Sequence, residues 1–234
     1  MNRPFVFLNV AATADGKIDT FERRGAAISS PHDKERVDKL RADSDAVMVG
    51  GHTLHNEAPK LTVKSEVLRA DRTRRGLSPN PTKVAVSSRL DLRPDCEFLK
   101  AGPARIILFT TTQTPESQLA LARSHGAEVY VLGDNTAKLV DLSEALGILR
   151  EHGIKRLMVE GGATLNFELL SLGLVDEITI YIAPMIFGGE SAPTLADGMG
   201  LLRNAAIKLK LVSSEQWKDG GVLLHYQVSS AVRD

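Results

Sequence analysis

The apolar positions of this chain fall into short continuous runs separated by polar, glycine-bearing turns. Phe5 to Ala12 (FVFLNVAA) is apolar and β-rich and reads as a buried first strand. Ala46–Val49 (AVMV), closed by Gly50-Gly51, is of the same kind, as are Lys83–Val86, Arg105–Thr110, Glu128–Leu132 and Lys155–Val159. Helical stretches alternate with these runs. Ser29-Ser30-Pro31 places a capping serine before a proline at the first helical position, and Val37 and Leu40 are expected to turn inward on the helix that follows. Further helices are predicted over Leu119–His125, ended by Gly126, over Asp141–His152, stopped by Gly153, and over Thr164–Ser171, opened by Glu160-Gly161-Gly162. Strand–helix alternation predicts an α/β fold with a mainly parallel sheet and helices on both faces. The tail breaks the rhythm. Glu177–Ala183, Ala206–Ser213 and Val222–Val228 have no long helix between them and should form an antiparallel C-terminal edge, so the expected sheet is mixed. The polar stretch Lys60–Pro81, with Arg69, Arg72, Arg74, Arg75, Pro79 and Pro81, is predicted as a surface excursion.

Composition narrows the class. A length of 234 residues suits one large domain spanning 1–234. Hydrophobic residues at 43% and charged residues at 25% are ordinary for a globular protein. With 29 basic and 29 acidic side chains the formal net charge is +0, which argues against nucleic acid or an anionic membrane as partner and leaves any anion to a local site. A single cysteine, Cys96, makes no intrachain disulfide, and no Cys/His spacing calls for zinc, so no metal is expected. The apolar run at the start is too short for a signal-peptide core or a membrane span, and a cytoplasmic location is expected.

Candidate chemistry lies at strand ends. Glu160-Gly161-Gly162-Ala163-Thr164-Leu165-Asn166 leaves a buried strand and opens a helix. Paired glycines admit a ligand to the backbone, and a helix start presents N–H groups, so this is either a phosphate cradle or a plain tight turn. Val49-Gly50-Gly51-His52-Thr53-Leu54-His55 repeats the arrangement far away in the chain, and ligands of open α/β sheets gather at such ends. His52 and His55 have a helical metal spacing but no third ligand, and the preceding glycines favour a loop. Ser87-Ser88-Arg89, just past a strand, is either a clamp for a phosphate monoester such as the 2′-phosphate of NADP or a solvated turn. Asp15 and Glu160 are strand-end acids that hydrogen-bond a heterocycle or cap a turn. Neither a Ser/His/Asp pattern nor a P-loop is present.

Taken in order, ADGKI (14–18), ISSP (28–31), LRADSDAVMVGGHTL (40–54), APKLTVK (58–64), VEGGATLN (159–166) and IAPMIFGG (182–189) resemble the riboflavin-biosynthesis reductase family, the reductase domain of the bifunctional deaminase/reductase and its stand-alone relatives. The resemblance implies a dihydrofolate-reductase-like fold, NADPH as hydride donor, a phosphorylated pyrimidine as substrate and a homodimer. With a first strand at Phe5 and no zinc motif before it, the stand-alone form is expected. Carried over residue by residue, cofactor positions fall on Ala11 (backbone), Thr53, Glu57, Ser87, Ser88 and the loop Gly161, Gly162, Ala163, Thr164, Leu165 and Asn166. Substrate positions fall on Arg41, Leu61, Lys64 and Glu160, with Arg41 and Lys64 as cations for a ribose 5-phosphate. Asp15 and Lys17 sit in the family's turn beside the reacting centre and are the catalytic candidates. The implied reaction reduces the ribose of a ribosylamino-pyrimidine phosphate to its ribityl form. The alternatives are a dihydrofolate or pterin-like reductase of the same fold and a sensor that binds NADP(H) without turnover. This chain differs from the family's usual pattern in Glu57 for aspartate, in Lys64 for arginine and in the segment DTFERRGAA (19–27).

Overall fold

The structure is a computed structural model in which residues 2–134 and 138–229 are described. The chain divides into two compact units. One is Glu35–Met158 with the first few residues, the other Phe5–Lys34 with Val159 onward.

In the first unit the strands are β2 (Ala46–Gly50), β3 (Thr82–Val86), β4 (Ile106–Thr110), β5 (Glu128–Val131) and β6 (Arg156–Val159), in the order β5-β4-β3-β2-β6. The pairs β2–β3, β3–β4 and β4–β5 are parallel. Every residue of β2 and of β4 is buried, which is why these strands are unbroken apolar runs rather than alternating ones. Helices α5 (Glu116–Ser124) and α6 (Leu142–Glu151) follow the expected positions within a few residues. Asp141 caps α6, its carboxylate accepting from the Glu144 N–H at 3.0 Å.

Three short helices in this unit were not anticipated. α2 (Gly51–Asn56) takes up His52 and His55, so these histidines are helical, not in a loop. The backbone N–H of Asp91 donates to His55 Nε2 at 3.3 Å, and burial pushes that imidazole below its ordinary value. α3 (Glu66–Arg74), capped by Ser65, gives the predicted surface excursion a helix, largely exposed and anchored by one buried residue. Its Arg72 is 3% exposed and donates to the carbonyls of Ser78, Ala42 and Ser44, each at 2.8 Å. A guanidinium is buried at tolerable cost when its N–H groups meet carbonyl oxygens, and nothing in a local arginine count reveals that. α4 (Glu97–Lys100) lies beside a fully buried lysine of β3, Lys83.

α1 (Pro31–Ala42) begins as expected, with Ser30 Oγ accepting from the Asp33 N–H at 3.2 Å. Its inward positions differ from those expected. Val37 and Leu40 are half-buried, and the fully buried residues are Asp33, Asp38 and Ala42.

In the second unit β1 (Phe5–Thr13) pairs in parallel with β7 (Glu177–Ala183), placing Ala11 opposite Tyr181. β9 (Val222–Val228) runs antiparallel to β7, and β8 (Leu209–Gln216) antiparallel to β9. The expected mixed sheet with an antiparallel edge is therefore present, with β8 starting three residues later than the apolar pattern placed it. α7 (Ala163–Ser171) buries Leu165, Leu169 and Leu170. At the β8–β9 turn Trp217 stacks on Tyr181, centroids 5.1 Å apart, and a Cβ at Gly221 would lie 2.4 Å from the Tyr181 ring.

Candidate active site

The candidate residues fall into two sets, one in each unit. In the second unit, β6 gives way to Glu160, which is half-buried, and to Gly161, buried with φ +98°, where an L side chain is strained. A cis peptide bond joins Gly161 to Gly162. Gly162 is the N-cap of α7 and offers no side chain, so the opening N–H groups of that helix have no side-chain cap. Asn166 sits one turn in, 0% exposed. Its Nδ2 donates to the Leu195 carbonyl at 2.8 Å, while its buried Oδ1 has no hydrogen-bond partner. A buried acceptor left without a donor costs about 1–3 kcal/mol, which singles Asn166 out beside the open helix start. The Gly161 Cα lies close by: a Cβ there would come within 3.7 Å of the Asn166 amide. Uncapped helix N–H groups beside an orphan acceptor suit a dinucleotide, which brings both phosphate oxygens and hydroxyl or amide donors.

The turn after β1 holds Asp15 and Lys17. The Asp15 carboxylate accepts from the Thr13 hydroxyl at 2.6 Å and from the backbone N–H groups of Gly188 at 2.7 Å and Phe187 at 3.3 Å. The Thr13 hydroxyl foremost, then the Gly188 and Phe187 amides, hold this carboxyl below its ordinary value. Lys17 Nζ donates to the Ala192 carbonyl at 2.9 Å. The segment DTFERRGAA is ordered by its own aspartate: Asp19 accepts from the N–H groups of Thr20, Gly25 and Ala26 at 2.7–2.8 Å. Ala11, packed against Tyr181, presents its backbone one strand away from that aromatic.

In the first unit, Thr53 is buried on α2, and its carbonyl accepts from the N–H groups of Glu57 and Ala58, both at 3.1 Å. Glu57 itself is exposed. Ser87, at the end of β3, turns inward. Its hydroxyl donates to the Arg89 carbonyl at 2.7 Å and lies where a Cβ on Gly51 would come within 2.6 Å, which explains glycine at that position. Ser88 is half-buried and its carbonyl accepts from the Thr111 hydroxyl at 2.7 Å. Arg89 is exposed.

Arg41, Leu61 and Lys64 are brought together by the stretch after α2. Arg41 Nη1 donates to the Thr62 carbonyl at 3.2 Å. Leu61 is fully buried with φ 51°, and Ala58 has φ 44°, two left-handed residues that are not glycine. The Lys64 side chain is exposed, while its backbone N–H and that of Ser65 donate to the two oxygens of Asp38 at 2.7 and 2.8 Å. Arg69 Nη1 donates to the carbonyls of Val63 and Lys64 at 2.8 and 2.7 Å, and Asn80 Oδ1 accepts from the Val63 N–H at 2.9 Å. The sequence reading missed Asp38, Arg69 and Asn80. Only the Pro79-Asn80-Pro81 turn carried a local signal, because the partners lie 5 to 27 residues apart.

A mixed sheet with glycine-bearing strand ends, an open helix start and a left-handed, cation-flanked loop defines a dihydrofolate-reductase-like α/β protein. Dihydrofolate reductase of Enterococcus faecalis, solved with NADP(H), superposes over 96% of the chain with a TM-score of 0.51 at 10% identity, a likeness of fold alone. Acinetobacter baumannii RibD superposes over 98% of the chain with a TM-score of 0.78 at 22% identity, and the chain spans 59% of that longer protein. The family model described as the RibD C-terminal domain matches residues 4–223, and the chain belongs to that family. Archaeoglobus fulgidus has a relative 43% identical over 206 residues, covering 88% of this chain and 92% of the relative. That relative is named 2,5-diamino-6-ribosylamino-4(3H)-pyrimidinone 5′-phosphate reductase, an oxidoreductase of riboflavin biosynthesis. A reductase family of this fold suggests a nicotinamide cofactor. Among the described residues no helix is long and apolar enough to cross a membrane.

Proposed function

We propose that this chain is an NADPH-dependent reductase that converts the ribose of a ribosylamino-pyrimidine 5′-phosphate to the open ribityl chain in riboflavin biosynthesis. The observation that carries this is the family membership together with 43% identity over nearly the full length of a reductase so named. The cations Arg41, in the last turn of α1, and Lys64, on the stretch that Arg41 hydrogen-bonds, support a phosphate-bearing substrate over one with carboxylates on a flexible tail. Leu61 and Glu160 complete the substrate set, with Glu160 suited to an amino-pyrimidine edge or ribose hydroxyls.

Ala11, Thr53, Glu57 and Gly161–Asn166 would contribute to holding NADPH, with Ser87 and Ser88 at its adenosine phosphate end. When bound, the reduced nicotinamide supplies a hydride to C1′ of the sugar. The protein's own work is alignment and proton management. The uncapped α7 N–H groups would bind phosphate oxygens, and Asn166 Oδ1 would accept from a cofactor donor. Breaking C1′–O4′ opens the sugar ring to an iminium-like C1′ and an O4′ alkoxide; hydride addition at C1′ leaves the neutral amine, and the alkoxide takes one proton. Lys17 carries protons on a tethered ammonium and shares that role with water. Asp15, kept ionised by its three donors, shapes the turn that aims Lys17 rather than donating a proton itself.

A homodimer fits the exposed edge. All eight residues of β8 are exposed, including Leu209 at 43%, Leu211 at 50% and Val212 at 54%, a concentration of apolar surface on a free strand edge that a second copy would cover. A cytoplasmic location accords with the biosynthetic role.

The test is to mix purified protein with NADPH and the 2,5-diamino pyrimidinone phosphate and follow the absorbance of reduced nicotinamide. Turnover with NADPH exceeding that with NADH supports the proposal. Binding of NADPH without oxidation at any substrate level refutes it in favour of a sensor.

A further inference from the structure

The stretch Leu61–Ser65 has its polar backbone satisfied chiefly by side chains. The Thr62 carbonyl goes to Arg41, the Val63 N–H to Asn80, the Val63 and Lys64 carbonyls to Arg69, and the Lys64 and Ser65 N–H groups to Asp38. Leu61 enters this stretch with φ 51° and a side chain 0% exposed, and Val63 is 1% exposed. A non-glycine residue stays left-handed only where its surroundings over-determine it. Asp38 and Asn80 are themselves 7% and 4% exposed. Asn80 is anchored in turn, its Nδ2 donating to the Pro103 carbonyl at 2.9 Å. Two buried apolar anchors and four side chains thus set a loop that no sheet or helix ladder holds.

We propose that Asp38, Arg69 and Asn80 are positioning residues that preset this loop for the phosphate end of the substrate. They do so without touching the substrate, and the proposal rests on the assignment of Arg41 and Lys64 to that phosphate. Lys64 carries a compact charge on a flexible stem, without the planar fork of an arginine. Its grip therefore depends on where the backbone places its Cα. A loop ordered in advance spares the ordering entropy at binding, which appears as affinity. Each Asp38 oxygen accepts from one backbone N–H, so this buried acid organises the loop from beneath. Arg69 plays the opposite part, closing the carbonyls of Val63 and Lys64 that would otherwise face an anion.

The experiment measures kcat and KM for the pyrimidinone 5′-phosphate and for the same compound stripped of its phosphate, in the whole protein. Its variants are Asp38→Ala, Asp38→Asn, Arg69→Ala and Arg69→Lys, with NADPH fluorescence titration as the control for a folded chain. The Arg69 side chain is 34% exposed, so its variants remain informative if those at buried Asp38 fold poorly. The expected result is a KM for the phosphate compound raised about ten-fold in the alanine variants, with kcat and the KM for the dephosphorylated compound changed by no more than about two-fold. Arg69→Lys and Asp38→Asn, each keeping one of the bonds, should recover part of the phosphate preference. Equal losses on both compounds, or an unchanged phosphate preference in Arg69→Ala and Asp38→Ala, overturn the positioning role. If Arg41→Ala and Lys64→Ala also leave that preference intact, the phosphate-site assignment fails as well. If they abolish it, only the positioning role is lost.

Discussion

Lys83 offers the sharpest physical test of how this fold tolerates charge in its core. It lies on β3, the strand that delivers Ser87 and Ser88, and is 0% exposed. Its Nζ donates to the carbonyls of Phe98 and Ala101 and lies 5.4 Å from the Phe98 ring centroid. Burial pushes the ammonium from 10.5 down to about 8, against a smaller upward pull from Cys96 and Glu97. Between about pH 8 and 10.5 the unfolded chain keeps this proton while the folded chain releases it. Stability contributed by this group therefore rises with pH across that window. At ~1.36 kcal/mol per pH unit the rise amounts to about 3 kcal/mol. Lys83→Met removes the titrating group at similar volume. It also leaves two carbonyls without a donor, at about 1–3 kcal/mol each, so the difference at neutral pH is not diagnostic. The slope is. Urea unfolding of both proteins from neutral pH to about pH 10.5 should show the wild type gaining on the variant by about 3 kcal/mol, since every other group cancels in the comparison. Parallel stability curves would show that Lys83 is ordinarily solvated and that its burial carries no such penalty.

Further outcomes follow from the site geometry. Gly51→Ala drives a Cβ to 2.6 Å from Ser87 Oγ, so it should cost about 1–3 kcal/mol in thermal stability and raise the KM for NADPH; unchanged values would separate Gly51 from the cofactor site. Asn166→Leu removes both the bond to Leu195 and the orphan acceptor. NADPH affinity measured by fluorescence should fall about ten-fold, and undiminished affinity would remove Asn166 from the cofactor set. Asp15, with its carboxyl held below its ordinary value, stabilises the folded state above the ordinary carboxylate range and loses that contribution as pH falls through its folded value. Asp15→Asn should therefore flatten the acid limb of a stability-against-pH curve, and should retain turnover if its role is to shape the turn. Gly221→Ala, whose Cβ would meet Tyr181 at 2.4 Å, should unfold the β8–β9 turn and change the fluorescence of the single tryptophan, Trp217.

Much of the architecture was legible from local order. The runs at Phe5–Ala12 and Ala46–Val49 became β1 and β2 because short continuous apolar runs suit a strand covered on both faces, and Glu177–Ala183 became the partly covered β7 through its β-branched and aromatic residues. Ser30-Pro31 began α1 because capping and a fixed proline φ are one-turn effects. The ordered motifs from ADGKI to IAPMIFGG identified the family, since that information lies in residue identity and spacing.

Charge placement was decided elsewhere. Arg72 and Lys83, polar by any count along the chain, are buried because carbonyls distant in sequence meet their donors. Asp38 is buried where Val37 and Leu40, expected to turn inward, are only half-buried, because its two oxygens answer N–H groups 26 and 27 residues away. Likewise, Asp15 became a three-donor anchor only when Phe187 and Gly188 came to it, 172 and 173 residues further on. The sequence by itself determined the strands, the longer helices and their order, because those follow from interactions over one turn or one strand, and it carried the family in residue identity and spacing. Only the tertiary structure decided which polar groups are spent on the fold and which, like Asn166 Oδ1, are buried without a partner, because hydrogen-bond satisfaction depends on partners that adjacency in the chain does not supply.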